Sequence, residues 1–109
     1  MSYKIKTTPV FERRFKRLIK KFPSLKCDLK ELIAFLKTNP FYGIHIGNKC
    51  YKIRLNIRDK RKGKSGGARV ITHVIIMEEV VYLLTIYDKS DTENVTDREI
   101  LELVRKISI

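Results

Sequence analysis

The sequence is poor in the residues that build metal sites and disulfide frameworks. Among 109 residues there is no tryptophan, and there are only two cysteines, two histidines, three prolines and five glycines. Cys27 and Cys50 form no CxxC pair, and His45 and His73 stand at no ligand spacing, so a zinc site lacks its pattern of donors. Both cysteines read as small buried hydrophobes, and in a reducing compartment a disulfide is not expected. The longest apolar run, Val80–Leu84, falls far short of the roughly 18 residues of a membrane span. Met1-Ser2-Tyr3-Lys4 lacks the apolar stretch and cleavage site of a signal peptide. A cytoplasmic protein with no membrane partner is the expectation. Acidic side chains are the last scarcity: 12 Asp and Glu stand against 24 Lys and Arg, for a net charge of +12.

What is present fits one domain covering residues 1–109, because this length lies in the usual domain range of roughly 100–150 residues. An apolar content of 43% argues against disorder, and no repeat or low-complexity tract occurs. The charge is uneven. Residues 1–38 carry 11 basic and 3 acidic side chains, residues 39–69 carry 9 and 1, and residues 70–109 carry 4 and 8. Two basic segments ahead of an acidic one favour a polyanionic partner, with nucleic acid first among them. An anionic membrane surface would require an amphipathic helix with its apolar face free, and the helices below need theirs for a core.

Tyr3–Thr7 alternates as a half-buried strand. Thr8-Pro9 then starts a helix, with Thr as N-cap and Pro at the first helical position. Phe11, Phe15, Leu18, Ile19 and Phe22 form its apolar stripe, and Arg13, Arg14, Lys16, Arg17, Lys20 and Lys21 its opposite face. Pro23 ends it and Ser24 caps a second helix, striped by Leu25, Leu29, Leu32, Ile33 and Leu36, which stops at Asn39-Pro40. Residues 41–50 read as loop. Tyr51, Ile53, Leu55 and Ile57 alternate with Lys52, Arg54, Asn56 and Arg58 as a second strand. Residues 59–67 form a basic, glycine-rich loop, 68–77 a third strand, Glu78-Glu79 a tight turn and 80–87 a fourth strand. Thr96-Asp97-Arg98-Glu99 is a capping box opening a last helix with Ile100, Leu103, Val104 and Ile107 inward. The order β-α-α-β-β-β-α predicts an α+β fold, an antiparallel meander with a helical hairpin over one face. The other face carries Lys52, Arg54, Asn56 and Arg58 in a row. Such a row suits a phosphate backbone, although a solvated strand face has the same pattern.

Cleaving RNA without a metal takes a base for the 2′-hydroxyl proton, cations for the phosphorane and an acid for the leaving 5′-oxygen. The residue types able to do this are Lys52, Arg54, Arg69, Tyr87, Lys89 and Asp91, which a meander can bring to one face. Each has a plainer reading: Arg69 as a structural cation, Tyr87 as a packing aromatic, Lys89 and Asp91 as a surface ion pair. His73, mid-strand among Ile71, Ile75 and Met77, reads as a core histidine. Gly63-Lys64-Ser65 imitates the end of a P-loop, but position 58 is Arg rather than Gly and a strand follows. Gly66-Gly67 reads as a site of positive φ or of close backbone approach to RNA.

Tyr51-Lys52-Ile53-Arg54-Leu55, Lys62-Gly63-Lys64-Ser65-Gly66-Gly67-Ala68-Arg69-Val70-Ile71 and Tyr82-Leu83-Leu84-Thr85-Ile86-Tyr87-Asp88-Lys89 resemble the RelE/ParE toxin superfamily. The last two look most like its HigB-like branch, and the order of elements matches along the chain. The resemblance implies the toxin of a type II toxin–antitoxin system, an mRNA interferase that acts as a metal-independent endoribonuclease. Such toxins cut mRNA, usually on the ribosome at the 30S A site beside ribosomal RNA, by 2′-hydroxyl attack that leaves a cyclic phosphate. They need no cofactor, and a cognate antitoxin protein blocks them. It further implies catalytic posts for Lys52 and Arg54 on the strand, for Arg69 as phosphate clamp, and for Tyr87 and Lys89 in the last-strand motif. This chain has no histidine near that strand, so the base falls to a lysine whose pKa neighbouring cations lower. The acid falls to Tyr87 or a cation. Arg13 and Arg17 of the first helix, with Arg58, Lys60, Arg61, Lys62 and Lys64, are assigned to RNA outside the cleft. Two alternatives stay open: a ParE-like DNA gyrase inhibitor without nuclease activity, and a catalytically inactive RNA-binding relative.

Overall fold

Thr8 shows how local chemistry divides the chain. Its hydroxyl accepts the backbone N–H of Phe11 at 3.0 Å and donates to the carbonyl of Leu84 at 2.7 Å, so one residue caps a helix and fastens it to the sheet. A computed structural model describes residues 2–58, 67–90 and 95–107. In chain order the elements are β1 (Lys4–Thr7), α1 (Pro9–Lys21), α2 (Leu25–Leu36), β2 (Ile44–Gly47), β3 (Cys50–Leu55), β4 (Ala68–Ile75), β5 (Val80–Asp88) and α3 (Asp97–Ile107). The fold is α+β, as the sequence predicts. Its sheet has five strands in the order β1-β5-β4-β3-β2, with β1 parallel to β5 and the remaining pairs antiparallel.

Phe11 of α1 and Leu25, Leu29, Leu32 and Leu36 of α2 pack on Ile53, Leu55, Val70, Val81, Leu83 and Ile86. The helical hairpin thus covers one face. The opposite face is not left open: α3 lays Ile100 and Leu103 against Cys50, Ile71, Leu84 and Tyr87. Between Ile71 and Thr72 the β4–β5 register slips, so that Ile71 faces Thr85 while Thr72 faces Leu83. The extra residue, Leu84, is a bulge that joins the α3-side core.

Four expectations are corrected. Residues 41–50 are not all loop, since Ile44–Gly47 forms β2 and a two-residue turn, Asn48-Lys49 with φ of 52° and 58°, leads into β3. The second predicted strand stops at Leu55, not at Arg58. Cys27 is exposed, and only Cys50 is buried. Ser24 does not cap α2 with its side chain as expected: its own backbone is helical, and its hydroxyl donates to Asp28 Oδ2 at 3.3 Å.

Candidate active site

Strand pairing lays out the site. Arg54 of β3 stands opposite Arg69 of β4, and Arg69 opposite Tyr87 of β5. Two residues along, Lys52 stands opposite Ile71, and Ile71 opposite Thr85. With strands about 4.8 Å apart and alternate residues about 7 Å apart, four chemistry-bearing positions fall within a patch about 10 Å across. Gly67 holds the start of β4 in place. Its φ is +56°, and a Cβ there would collide with the carbonyl of Leu55 and meet the Ile57 nitrogen at 3.0 Å. Its close neighbour is therefore the chain's own backbone.

On the α3 side a cavity of about 400 Å³ opens between the sheet and the start of α3, lined by Lys52, Ile71 and Tyr87 on one wall and by Thr96, Asp97 and Ile100 on the other. Tyr87 is 5% exposed, and its hydroxyl is buried without a hydrogen-bond partner among the described residues. Burial pushes the phenol pKa above its ordinary value of 10, with the Arg69 charge pulling the other way. At neutral pH Tyr87 is therefore a protonated donor with no acceptor among the described residues, a state that buried hydroxyls seldom keep. Arg69 is 8% exposed, and its Nη1 donates to the Ala68 carbonyl at 3.3 Å. Because a guanidinium does not give up its proton, this residue fixes positive potential beside the phenol.

The other site residues separate. Arg54, near the end of β3, is exposed and lines a groove with Asp28, Phe35 and Tyr42 on the hairpin side. Lys89, half-buried just past β5, gives its backbone N–H to the Gly67 carbonyl at 3.2 Å and does not line the cavity. Arg58 leaves the predicted cationic row. Its Nε lies 3.2 Å from Asp28 Oδ1, its Nη2 2.5 Å from Glu31 Oε2, and its backbone N–H donates to Asp28 Oδ2 at 3.2 Å. The strand ends before position 58, and the two carboxylates of α2 draw the guanidinium to the helical side. Arg13 and Arg17 are exposed on α1, Arg13 at a separate groove against α3. Arg14, read as part of that solvated face, instead turns inward and donates to Thr85 Oγ1 at 2.8 Å. Lys60, Arg61, Lys62, Lys64 and Asp91 lie outside the described residues.

Sequence reasoning missed Asp97 as a wall of the cavity. The signal was the capping box: Thr96 Oγ1 accepts the Glu99 N–H at 3.2 Å, which fixes an acid in the first turn of α3. What the pattern lacked was the docking of that helix over the sheet. His73, read as a core histidine, is instead half-buried at the wall of a separate cavity, with Nδ1 3.5 Å from Cys50 Sγ. Burial lowers its pKa below 6.5, as does the nearby Lys49 charge, against a backbone hydrogen bond at Asn48 that raises it. Burial pushes the Cys50 thiol up to about 11, so it is un-ionised at neutral pH. No helix among the described residues is long and apolar enough to cross a membrane.

A mixed sheet with two helices on one face, and on the other a third helix over a cavity lined by Lys52 and Tyr87 with Arg69 paired beside Tyr87, defines a small α+β domain with a basic, tyrosine-bearing site. The family model described as the RelE toxin of the RelE/RelB toxin–antitoxin system matches residues 9–108. The chain belongs to the RelE toxin family. Among the solved structures that match is a mutant of the E. coli toxin RelE in the free state, at 22% identity and a TM-score of 0.63, with 98% of this chain and 99% of that one covered. Comparison with curated protein sequences gave no significant match.

Proposed function

We propose that this chain is the toxin of a type II toxin–antitoxin pair that cleaves mRNA on the ribosome by metal-independent 2′-hydroxyl attack. The observation that carries the reading is the shared cavity of Lys52 and Tyr87, with the Tyr87 hydroxyl buried, protonated and unpartnered beside Arg69. In this mechanism the 2′-oxygen bonds to phosphorus as its proton passes to the Lys52 amine. The charge of Arg69 offsets the negative charge gathering on the phosphorane oxygens. The P–O5′ bond then breaks, and Tyr87 gives its proton to the departing 5′-oxygen. The products are a 2′,3′-cyclic phosphate and a free 5′-hydroxyl. A cognate antitoxin with an acidic segment suits a surface of this net charge.

Induction in growing cells, with primer extension of the transcripts, tests the proposal. Growth arrest with new 5′ ends inside coding regions, lost in Lys52→Ala, is the expected result. Intact transcripts with a DNA-damage response would replace it by gyrase inhibition. RNA binding with normal growth would mark an inactive relative.

A further inference from the structure

The groove on the far side of β3 from the cavity has no role in the chemistry above. It measures about 570 Å³ and is lined by residues of α2 (Asp28, Glu31, Leu32, Phe35), by Tyr42, and by Arg54 with the residues just after it. At its rim the rings of Phe35 and Tyr42 meet edge to face, with centroids 4.9 Å apart, and the two side chains are 45% and 46% exposed. Two large aromatics paired at the rim of a groove form a contiguous apolar patch of the kind that marks interaction sites.

The position of Tyr42 is built by its neighbours. On one side Phe41 anchors the segment, with its ring 6.3 Å from Tyr3 and 6.0 Å from Tyr51. On the other, Gly43 has φ +108°, and a Cβ there would come within 2.7 Å of the Lys52 carbonyl and 2.9 Å of Ile53. Only glycine lets the segment lie this close to β3. Tyr42 is thus held between two fixed points, one of them against the backbone of the cavity residue Lys52.

Charge decides what the groove admits. The carboxylates of Asp28 and Glu31 share one guanidinium, that of Arg58, so this floor keeps a net negative charge and offers a phosphate no attraction. The Arg54 side chain, by contrast, has no hydrogen bond or ion pair among the described residues and stands two positions from Lys52 along β3. A chain of phosphates leaving the cavity would meet this cation as it crosses the strand end. A neutral, flat, polar-edged group would then lie over the rings. We propose that the Phe35–Tyr42 pair is a stacking subsite for a nucleobase of single-stranded RNA next to the nucleotide held in the cavity, with Arg54 holding the intervening phosphate. This rests on the ribonuclease reading. Stacking of a base on an aromatic ring is the usual way proteins hold unpaired RNA. An apolar protein helix seated there would leave the Arg54 charge without a partner.

The test is fluorescence anisotropy with a labelled 2′-O-methyl oligoribonucleotide, which cannot be cleaved because its 2′-oxygens carry no proton, and with its abasic counterpart. Tyr42→Ala should weaken binding of the first by roughly 5- to 150-fold, the span of single stacking contacts, while leaving the abasic strand unaffected. Tyr42→Leu, which keeps the apolar bulk and guards against a folding defect, should lose as much, and Tyr42→Phe little. Wild-type binding with no loss in either Tyr42→Ala or Tyr42→Leu would overturn the subsite and leave the ribonuclease reading standing. No binding by the wild type would overturn the subsite, while the ribonuclease reading is decided separately by the primer extension above. If the variants keep RNA but lose a co-expressed antitoxin, the groove belongs to a protein partner and the inference falls.

Discussion

Tyr87 concentrates the question of function in one oxygen atom. A buried hydroxyl without a partner costs about 1–3 kcal/mol relative to a satisfied one, and at a cleft such a cost points to a partner that arrives with substrate. Tyr87→Phe removes the atom and little else. Melting temperature should hold or rise, while the cleavage rate on programmed ribosomes should fall by about 100-fold or more, as expected for a lost general acid. A packing aromatic would give the opposite pattern, with activity unchanged. The raised pKa also places any alkaline loss of activity from this group above pH 10. His73 gives a second residue-scale expectation. Its folded pKa lies below 6.5, so it is neutral in the fold and the unfolded chain takes up the proton first. Stability from this group is present above about pH 6.5 and is lost as pH falls toward the depressed folded value. The melting temperature should therefore drop between pH 7.5 and 5.5, and drop less in His73→Gln.

At the scale of elements, what was legible was local. The start of α1 follows from Thr8-Pro9 and that of α3 from Thr96 to Glu99, since each cap is decided by residues within one turn. Thr8→Ala should cost more than Thr96→Ala. The exposed Thr96 cap is worth about 1 kcal/mol, whereas loss of Thr8 also strands the Leu84 carbonyl it bonds. Paired thermal melts of the two variants check the order. β2 was hidden because Ile44, His45, Ile46 and Gly47 are few, are largely exposed, and end in glycine, so no alternation betrays them. Parallel pairing of β1 with β5 was equally hidden, because Lys4 meets Val80 across most of the chain. Of the site, Lys52 and Arg54 were readable as one strand face, but not that the end of β3 sends them to opposite sides.

For the molecule as a whole, the net charge of +12 overstates what is available to a phosphate backbone. Arg58 is taken by Asp28 and Glu31, Arg14 by Thr85, and Arg69 is buried. Lys52 faces the cavity, and Arg17 is exposed on α1. Sequence could not sort these cations, because the partners of Arg58 lie about thirty residues away on another element. Salt dependence can sort them. For single-stranded nucleic acid, each phosphate neutralised by a cation adds about 0.7 to the slope of log affinity against log salt. Titrating an uncleavable RNA from low to high salt, Arg17→Ala should flatten the slope by about that amount. Arg58→Ala should leave the slope as it is and lower the melting temperature, since it frees a buried Asp28 from its cation. If Arg58→Ala flattens the slope as much as Arg17→Ala does, Arg58 exchanges its helix partners for phosphate when RNA binds, and the cationic row read from the sequence is restored in the complex.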